Sequence, residues 1–574
     1  MRGLASKSIA LRYRMLTTIN RGWTRESRIP MSISPGHGVG PHMNRTRWSA
    51  ALGALILSVA LSGCACSFEE YPDGARAAVE EFTELLNKRD ADKAAKLTTQ
   101  PTNAAASLRQ IFEGLGSGAP DFRLSQFIAL DTAEGIFALQ GAWTFGPDRN
   151  WTYDAHGTVR KLATGWRISW EPTIALPQLD NTRKVNLVKA YPTPPPVVKD
   201  ALGQTLMTEQ TIAVIRLDPA RITDPVATTD ALAKAIEPIA PLITGASLRA
   251  QLAAAKGQPV VAVNLRQDDF LVLEPDITPI PGVVVQPQPR LISADRRIQS
   301  PMLDALRTVW QANRDRTAGW AVQLSGPDGL PVANIAGQQG TPAPDVSSTL
   351  DPYWQRAAQD AVNYLGNPAA VVAIRPATGA IVAAAENNAA STSEPVAFAG
   401  LAPIGGITEL LRTAAATIAH KPAQNVSLDE IGQAARTLGL GVDFELTGLG
   451  KVSSRIPAPG TEEFRRGGRA SEIQASPYGM AILTAAIANG RITPPMIEIG
   501  RPATTSAESS PLPPALVDQL RGLIGGGGYF STAGGQGWLL ANTGELVFAL
   551  HVEDPDSSTT LRNAAERIFH PDLG

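Results

Sequence analysis

The chain reads as a multi-domain α+β protein, and three observations predict it. Its 574 residues are enough for about three or four domains at ~100 to 200 residues each, and 44% hydrophobic residues supply material for several cores. The hydrophobic period changes along the chain from helical spacing to strict alternation near residue 120, so helices come first and a sheet follows. Pro- and Gly-rich breaks then divide the rest into segments in which short β-rich and Ala/Leu-rich stretches alternate.

The first 63 residues contain nine Lys or Arg and one acid, a local charge of +8 that leaves −10 for the remainder of a chain whose net charge is −2. From Met43 a short basic stretch, an apolar run from Ala50 to Leu61 and Leu61-Ser62-Gly63-Cys64 follow in the order of a secretory signal. The run is too short to cross ~30 Å of hydrocarbon as a helix. It is similar to a bacterial lipoprotein signal, which implies that Cys64 becomes the lipid-bearing N-terminus of a protein held on the outer face of the cell membrane. Residues 1–42 show no apolar periodicity and are expected to be an over-long start. With Cys64 lipidated, Cys66 has no intramolecular partner, and no disulfide framework or CxxC metal site can form.

From Gly74 to Lys88, Ala78, Val79, Phe82, Leu85 and Leu86 fall on one face of an amphipathic helix, and further helices are expected at Ala91–Leu97 and Ala104–Leu115. Period-two stretches at Phe122–Leu130, Gly135–Phe145, Trp151–Leu162 and Trp166–Trp170 predict an antiparallel sheet. Helices followed by such a sheet resemble the NTF2-like cone at the N-terminus of some penicillin-binding proteins, placed here at residues 68–180. Asp154 and His156 are isolated polar residues on its third strand, and a spacer role is favoured over catalysis. Tyr191-Pro192-Thr193-Pro194-Pro195-Pro196 is expected to be a stiff, extended hinge. Residues 197–344 contain a strand-like Thr211–Leu217, a helix-like Asp230–Ile243 and a break at Pro279-Ile280-Pro281-Gly282. They hold no phosphate-cradling glycine motif and no basic run with interleaved aromatics, so no nucleotide or nucleic-acid partner is expected. The scattered His156, His420, His551 and His570, with His37 and His42 in the leader, lack metal-ligand spacing, and no metal or cofactor is expected.

Three further stretches carry a resemblance. Ser348-Thr349-Leu350-Asp351 with a helix behind it, then Ala369–Arg375 and Ala380–Ala383 as strand, turn and strand, is similar to the opening of a class B penicillin-binding-protein transpeptidase domain. Gln474-Ala475-Ser476-Pro477-Tyr478-Gly479 resembles the start of that family's long helix, and Gly537–Leu540 with Leu550-His551-Val552-Glu553 resembles its paired terminal strands. The resemblance implies a transpeptidase fold of the β-lactamase type over residues 347–574, an antiparallel sheet with a helical subdomain. It also implies a linker or dimerisation-type domain at 197–344.

That family's chemistry needs a Ser and a Lys one helical turn apart, an SxN on a facing loop, and a KTG on an edge strand. Anchored on Gly400, Leu401 and Pro403, the Ser and Lys positions hold Gly406 and Glu409; anchored on Thr413-Ala414-Ala415-Ala416 they hold Ile407 and Leu410. Thr408 is the nearest hydroxyl, but its i+4 neighbour Arg412 stays protonated and cannot act as a base. No Ser-x-Asn lies between His420 and Glu430, and Gly525–Gly535, where KTG belongs, has no Lys. Asn542-Thr543-Gly544 mimics a KTG but sits where a hairpin turn is expected, with Asn and Gly supplying positive φ. The expectation is therefore an exported lipoprotein near peptidoglycan synthesis, binding or scaffolding rather than catalysing. The alternatives are a D,D-transpeptidase with a relocated nucleophile (Ser453, Ser454 or Ser476), and small-ligand binding in the N-terminal cone.

Overall fold

A computed structural model of the protein describes residues 73–569 apart from 328, 391–394, 450–453, 458–471, 507–509 and 526. The leader, Cys64, Ser453 and His570 lie outside the described residues. The N-terminal helices are α1 (Asp73–Asn87), α2 (Ala91–Lys96) and α3 (Pro101–Gly114), close to their expected bounds. Val79, Phe82 and Leu86 of α1 are fully buried because they share one face. Asp90 caps α2 by accepting from the Lys93 N–H, and Pro101 opens α3 where a missing N–H costs nothing.

These helices cover a sheet of β1 (Ala119–Ala129), β2 (Glu134–Thr144), β3 (Asn150–Leu162) and β4 (Gly165–Ile168), antiparallel in that order. Alternation along β2 turns Phe137, Leu139 and Trp143 into the core. The Phe137 ring lies over Gly157 on β3, where a Cβ would fall 2.5 Å from it, so a larger residue there would displace the ring. Tyr153 accepts from the Trp143 indole N–H at 3.1 Å and donates to the Ala175 carbonyl at 2.6 Å.

Beyond this sheet lies β5 (Lys184–Ala190), which the sequence reading passes over. It pairs antiparallel with β10 (Gly319–Ser325), whose other edge holds β11 (Pro331–Gln338). Trp320, Val322 and Leu324 of β10 complete the same core as α1–α3. The Pro192–Pro196 stretch is consequently no free hinge. Tyr191 at its head donates to Asp315 at 2.7 Å, and the Trp310 indole donates to the Pro196 carbonyl at 2.7 Å, so both ends are tied to helix α7 (Met302–Thr317). Proline content sets an extended backbone but not whether it packs.

Between β5 and α7 run β6 (Val198–Lys199), β7 (Thr205–Leu217), α4 (Pro225–Ile236), α5 (Gly245–Ala254), β8 (Val260–Arg266), α6 (Gln267–Ile277) and β9 (Val283–Ser293). β7 pairs with β8, β9 and β6, and β12 (Val346–Ser347) joins β6 in parallel. The expected strand at Thr211 is the second half of β7. The helix expected at Asp230–Ile243 begins earlier, at Pro225, because Asp224 caps the Val226 and Ala227 N–H groups. Ile215, Leu232 and Phe270 meet in a separate core.

The C-terminal part is built on an antiparallel sheet in the order β14-β13-β20-β19-β18. Its strands are β13 (Ala369–Arg375), β14 (Ala380–Glu386), β18 (Tyr529–Ser531), β19 (Gln536–Asn542) and β20 (Val547–Glu553). One face packs on α8 (Pro352–Asn363) and α14 (Ser558–Phe569). The other packs on α9 (Val396–Ala399), α10 (Ile407–Ala419), α11 (Leu428–Thr437), α12 (Pro477–Asn489) and α13 (Pro514–Ile524). With helices on both faces, the strands read as continuous apolar runs such as Ala-Ala-Val-Val-Ala-Ile, all buried. α12 is apolar all round for the same reason. The edge of β14 is closed by buried Gln355 of α8, which accepts from the Ala384 N–H and donates to its carbonyl.

Candidate functional site

The residues expected to matter for chemistry converge where α10 begins. The chain enters through β15 (Ala402–Pro403), which pairs with β17 (Gln474–Ala475) and through it with β16 (Ser454–Arg455). The Trp538 indole on β19 donates to the Pro403 carbonyl at 2.9 Å and fixes that entry against the sheet. Gly405 then turns the chain at φ +54, a conformation that favours glycine, and α10 starts at Ile407 with Gly406 before it.

Opposite lies β18, the edge strand of the five-stranded sheet. The Gly525–Gly535 connection is thus not all loop: Tyr529, Phe530 and Ser531 pair with Leu540, Leu539 and Trp538, and glycines 534 and 535 make the turn into β19 with φ of 70 and 74. A Cβ at residue 406 would fall 2.2 Å from Ser531 Oγ and 3.1 Å from its Cβ. Tyr529 donates its hydroxyl to the Gly406 carbonyl at 3.1 Å. Burial, and secondarily the charge of Glu409, raises the Tyr529 pKa, so it stays a donor. The edge strand and the helix start are packed together at the position that the sequence resemblance aligns with a nucleophile.

The helix start is electrically quiet as well. The N–H groups of Ile407, Thr408 and Glu409 donate to the carbonyls of Ile404, Gly405 and Gly406 at 3.0, 3.1 and 3.2 Å. A helix N-terminus attracts anions through unsatisfied N–H groups, and these three are already engaged. The Thr408 hydroxyl donates to the Gly405 carbonyl at 2.8 Å, as a first-turn hydroxyl rather than a nucleophile beside a base. Glu409 faces outward and pairs with Arg412 at 3.3 Å.

The rival serines have other work. Ser476 is fully buried and caps α12 by accepting from the Gly479 N–H at 3.1 Å, while Ser454 accepts from the Gly441 N–H. Asn542-Thr543-Gly544 forms the β19–β20 turn at the end of β19 away from the site, about 20 Å along a strand rising ~3.4 Å per residue. Gly544 supplies the positive φ, at +92. Asn542 does not, and instead its side chain accepts from the Gly544 N–H at 2.9 Å, so only half of the expected turn chemistry is present.

Beneath the packed edge a pocket of about 400 Å³ remains, walled by Ile404, Ile431, Ile456 and Ile473, with Thr408, Glu472 and Gln536 as its polar members. Among the described residues no Lys, Arg or His lines it. Gln536 is tied to a residue the sequence reading dismissed. Its Oε1 accepts from His551 Nε2 at 2.7 Å. His551 is 7% exposed, lies with its ring centre 4.5 Å from that of Trp538, and is held neutral by burial, with its pKa pushed down to about 4. A histidine alternating with apolar residues in a strand buried on both faces was the available signal.

The structure does not bring Asp154 and His156 into this site. Both are exposed on β3; His156, with Gln126, Ser169 and Glu171, lines a separate pocket of about 410 Å³ in the N-terminal part, which Asp154 does not reach. Ser169 Oγ is buried there with no hydrogen-bond partner among the described residues. No cluster of three metal-ligating side chains occurs among the described residues, and none of their helices is long and apolar enough to cross a membrane.

Comparison with known families adds one finding. Residues 74–183, from α1 to the chain entering β5, match the NTF2-like N-terminal transpeptidase domain. No curated protein matches the chain.

Proposed function

We propose that the protein is an exported, lipid-anchored relative of the class B penicillin-binding proteins. In this proposal, residues 347–574 are a transpeptidase-like domain without catalysis, acting as a binding or scaffolding component of peptidoglycan synthesis. The N-terminal family match supports an association with transpeptidases. An antiparallel sheet covered by helices on both faces, with a helix beginning against its edge strand, supports the C-terminal part of the reading.

The observation that carries the loss of catalysis is the packing of Ser531 on Gly406. Acyl transfer needs an activated nucleophile, a base within hydrogen-bond reach and free donors for the oxyanion. At this place the aligned nucleophile position is a glycine closed over by a neighbour, the next hydroxyl is bonded to a carbonyl, and the N–H groups of Ile407, Thr408 and Glu409 are occupied. Incubation of the protein with a fluorescent penicillin is expected to give no covalent adduct. A labelled band that disappears in Thr408→Val or Ser454→Ala would refute the proposal.

One observation favours a second reading, ligand binding in the N-terminal pocket: the orphaned Ser169 hydroxyl at its wall. A truncation after residue 190 is a poor test, because Trp320, Val322 and Leu324 belong to that core. The full chain carrying His156→Ala or Ser169→Ala is the appropriate material, and a cell-wall phenotype that follows these substitutions would favour the N-terminal pocket over the C-terminal scaffold.

A further inference from the structure

One end of the N-terminal sheet carries its large aliphatic side chains on the outside. The β1–β2 and β3–β4 turns lie side by side there, tied by the Lys161 N–H, which donates to the Ala133 carbonyl at 2.8 Å. Leu130 stands in the first turn 57% exposed, and Leu162 leads into the second 46% exposed. Ile128 and Ile136 follow on the face of the sheet turned away from α1–α3, each more than a third exposed. Ile128 pairs with Ile136 and Ile136 with Thr158, and the alternation along β3 puts Leu162 on the face of Thr158. An exposed leucine by itself needs no explanation, but four such side chains at one end of one sheet form a patch. The opposite turn, Gly146-Pro147-Asp148-Arg149, has no such side chain.

The path of α1 says what covers the patch. At its C-terminal end, Asn87 accepts from the Phe122 N–H at 2.6 Å and donates to the Phe122 carbonyl at 2.9 Å, near the start of β1. At its N-terminal end, a Cβ on Gly74 would fall 3.1 Å from the ring of Trp166, the second residue of β4 and the partner of Lys161. α1 therefore runs the length of the sheet, and the chain enters it at the leucine-bearing end. Asp73 is nine residues after Cys64, and nine residues span at most about 30 Å. A lipid on Cys64 keeps this end of the sheet within that distance of the bilayer. Arg149, in the opposite turn, lies roughly 40 Å farther off along a strand rising ~3.3 Å per residue.

The chemistry of the end suits a lipid surface. Leu130 and Leu162 supply apolar groups for the acyl boundary, exposed Lys161 between them matches anionic headgroups, and Trp166 is the residue type that favours the layer where hydrocarbon meets water.

We propose that the β1–β2 and β3–β4 turns dock on the membrane surface through Leu130 and Leu162 and so set the orientation of the anchored protein. This docking rests on the lipid-anchored reading above, which supplies the tether.

The test uses the full chain, exported by a bacterial host and reconstituted into vesicles of phosphatidylethanolamine and phosphatidylglycerol. A nitroxide is placed at Leu162→Cys or, as the distant reference, at Arg149→Cys, both in a Cys66→Ser background, and intact mass reads the lipid on Cys64. Oxygen concentrates in hydrocarbon and a nickel chelate stays in water, so the ratio of their collision rates with the label reports immersion. That ratio is expected to be several-fold higher at residue 162 than at residue 149. Leu130→Asp changes a side chain that is more than half exposed, so the fold should persist, but it sets a charge against the acyl layer. It is expected to bring the ratio at residue 162 down to that at 149. The docking is overturned if a lipid-bearing protein gives equal ratios at the two sites, or if Leu130→Asp leaves the ratio at 162 unchanged. A Cys64 without lipid overturns the anchored reading and the docking with it, and because mass reads this separately the two failures are distinguishable.

Discussion

Replacing Gly406 by alanine tests whether the helix start and the edge strand are packed together as described. The backbone there, φ −69 and ψ −7, suits any residue, so the substitution carries no conformational strain. Loss of glycine entropy from the unfolded chain alone would stabilise by about 0.4–1 kcal/mol. Against this, the new Cβ lies 2.2 Å from Ser531 Oγ, far inside the ~3.5–4.0 Å of a comfortable contact. The hydroxyl can rotate away, giving up a long bond from the Ala533 N–H at 3.4 Å, but the Ser531 Cβ remains at 3.1 Å and β18 must shift. Overpacking of this kind costs about 1–3 kcal/mol, so the net expectation is a local destabilisation of about 1–2 kcal/mol. In a Ser531→Gly background the obstructing atoms are gone, and Gly406→Ala should become neutral or stabilising, a coupling of about 1–3 kcal/mol. Hydrogen exchange of the peptides covering α10 and β18 reads local opening without assuming one global transition in a protein with several cores. A coupling below about 0.5 kcal/mol would mean that the two elements do not touch, and the closed-edge description would fail. On the same geometry Gly406→Ser should restore no penicillin acylation.

His551 is depressed from 6.5 to about 4, so its contribution to stability is present above pH 6.5 and is lost as pH falls toward 4. The full loss is about 3 kcal/mol, and urea unfolding at pH 7 and 4.5 should show most of it in the native protein and not in His551→Phe. Arg314 pairs with Glu209 at 2.6 Å and lies 4.3 Å from the rings of both Tyr191 and Trp310. Arg314→Met should cost about 3 kcal/mol by stranding a largely buried Glu209, and Arg314→Lys less, both seen as faster exchange in α7. Trp320→Ala should loosen the N-terminal core by about 3–5 kcal/mol, measured as faster exchange in α3, although residue 320 lies far beyond that region in sequence.

Elements made by local spacing were legible in the sequence. α1–α3 and β1–β4 follow their periodicity to within a few residues, because an amphipathic face records what it packs against. β5 was not legible: its seven residues alternate weakly, and its partner β10 lies well over a hundred residues away. That the Pro-rich stretch is tied to α7 at both ends was not legible, because indole and phenol partners are invisible to composition. At the site, the sequence shows that residue 406 is glycine and residue 409 glutamate. It does not show that Ser531 fills the space of the missing side chain, nor that a buried histidine holds Gln536, since both are pairings across strands and loops.

On the proposed transpeptidase-like reading, these cross-strand pairings bear on how such a site would lose its chemistry. Loss of a nucleophile alone would leave a void beside the helix start and free donors aimed into it, each costing about 1–3 kcal/mol if dry. Here the neighbours complement one another. Ser531 occupies the room left by a missing side chain at 406, the Tyr529 hydroxyl meets the Gly406 carbonyl, and the first-turn N–H groups find carbonyls in the entering loop. The Trp538 indole secures that loop by donating to the Pro403 carbonyl. Each replacement makes sense only with the others in place. Under that reading a single larger residue at 406 meets a packed neighbour instead of an empty slot, and opening the edge is expected to require changing Gly406, Tyr529 and Ser531 together.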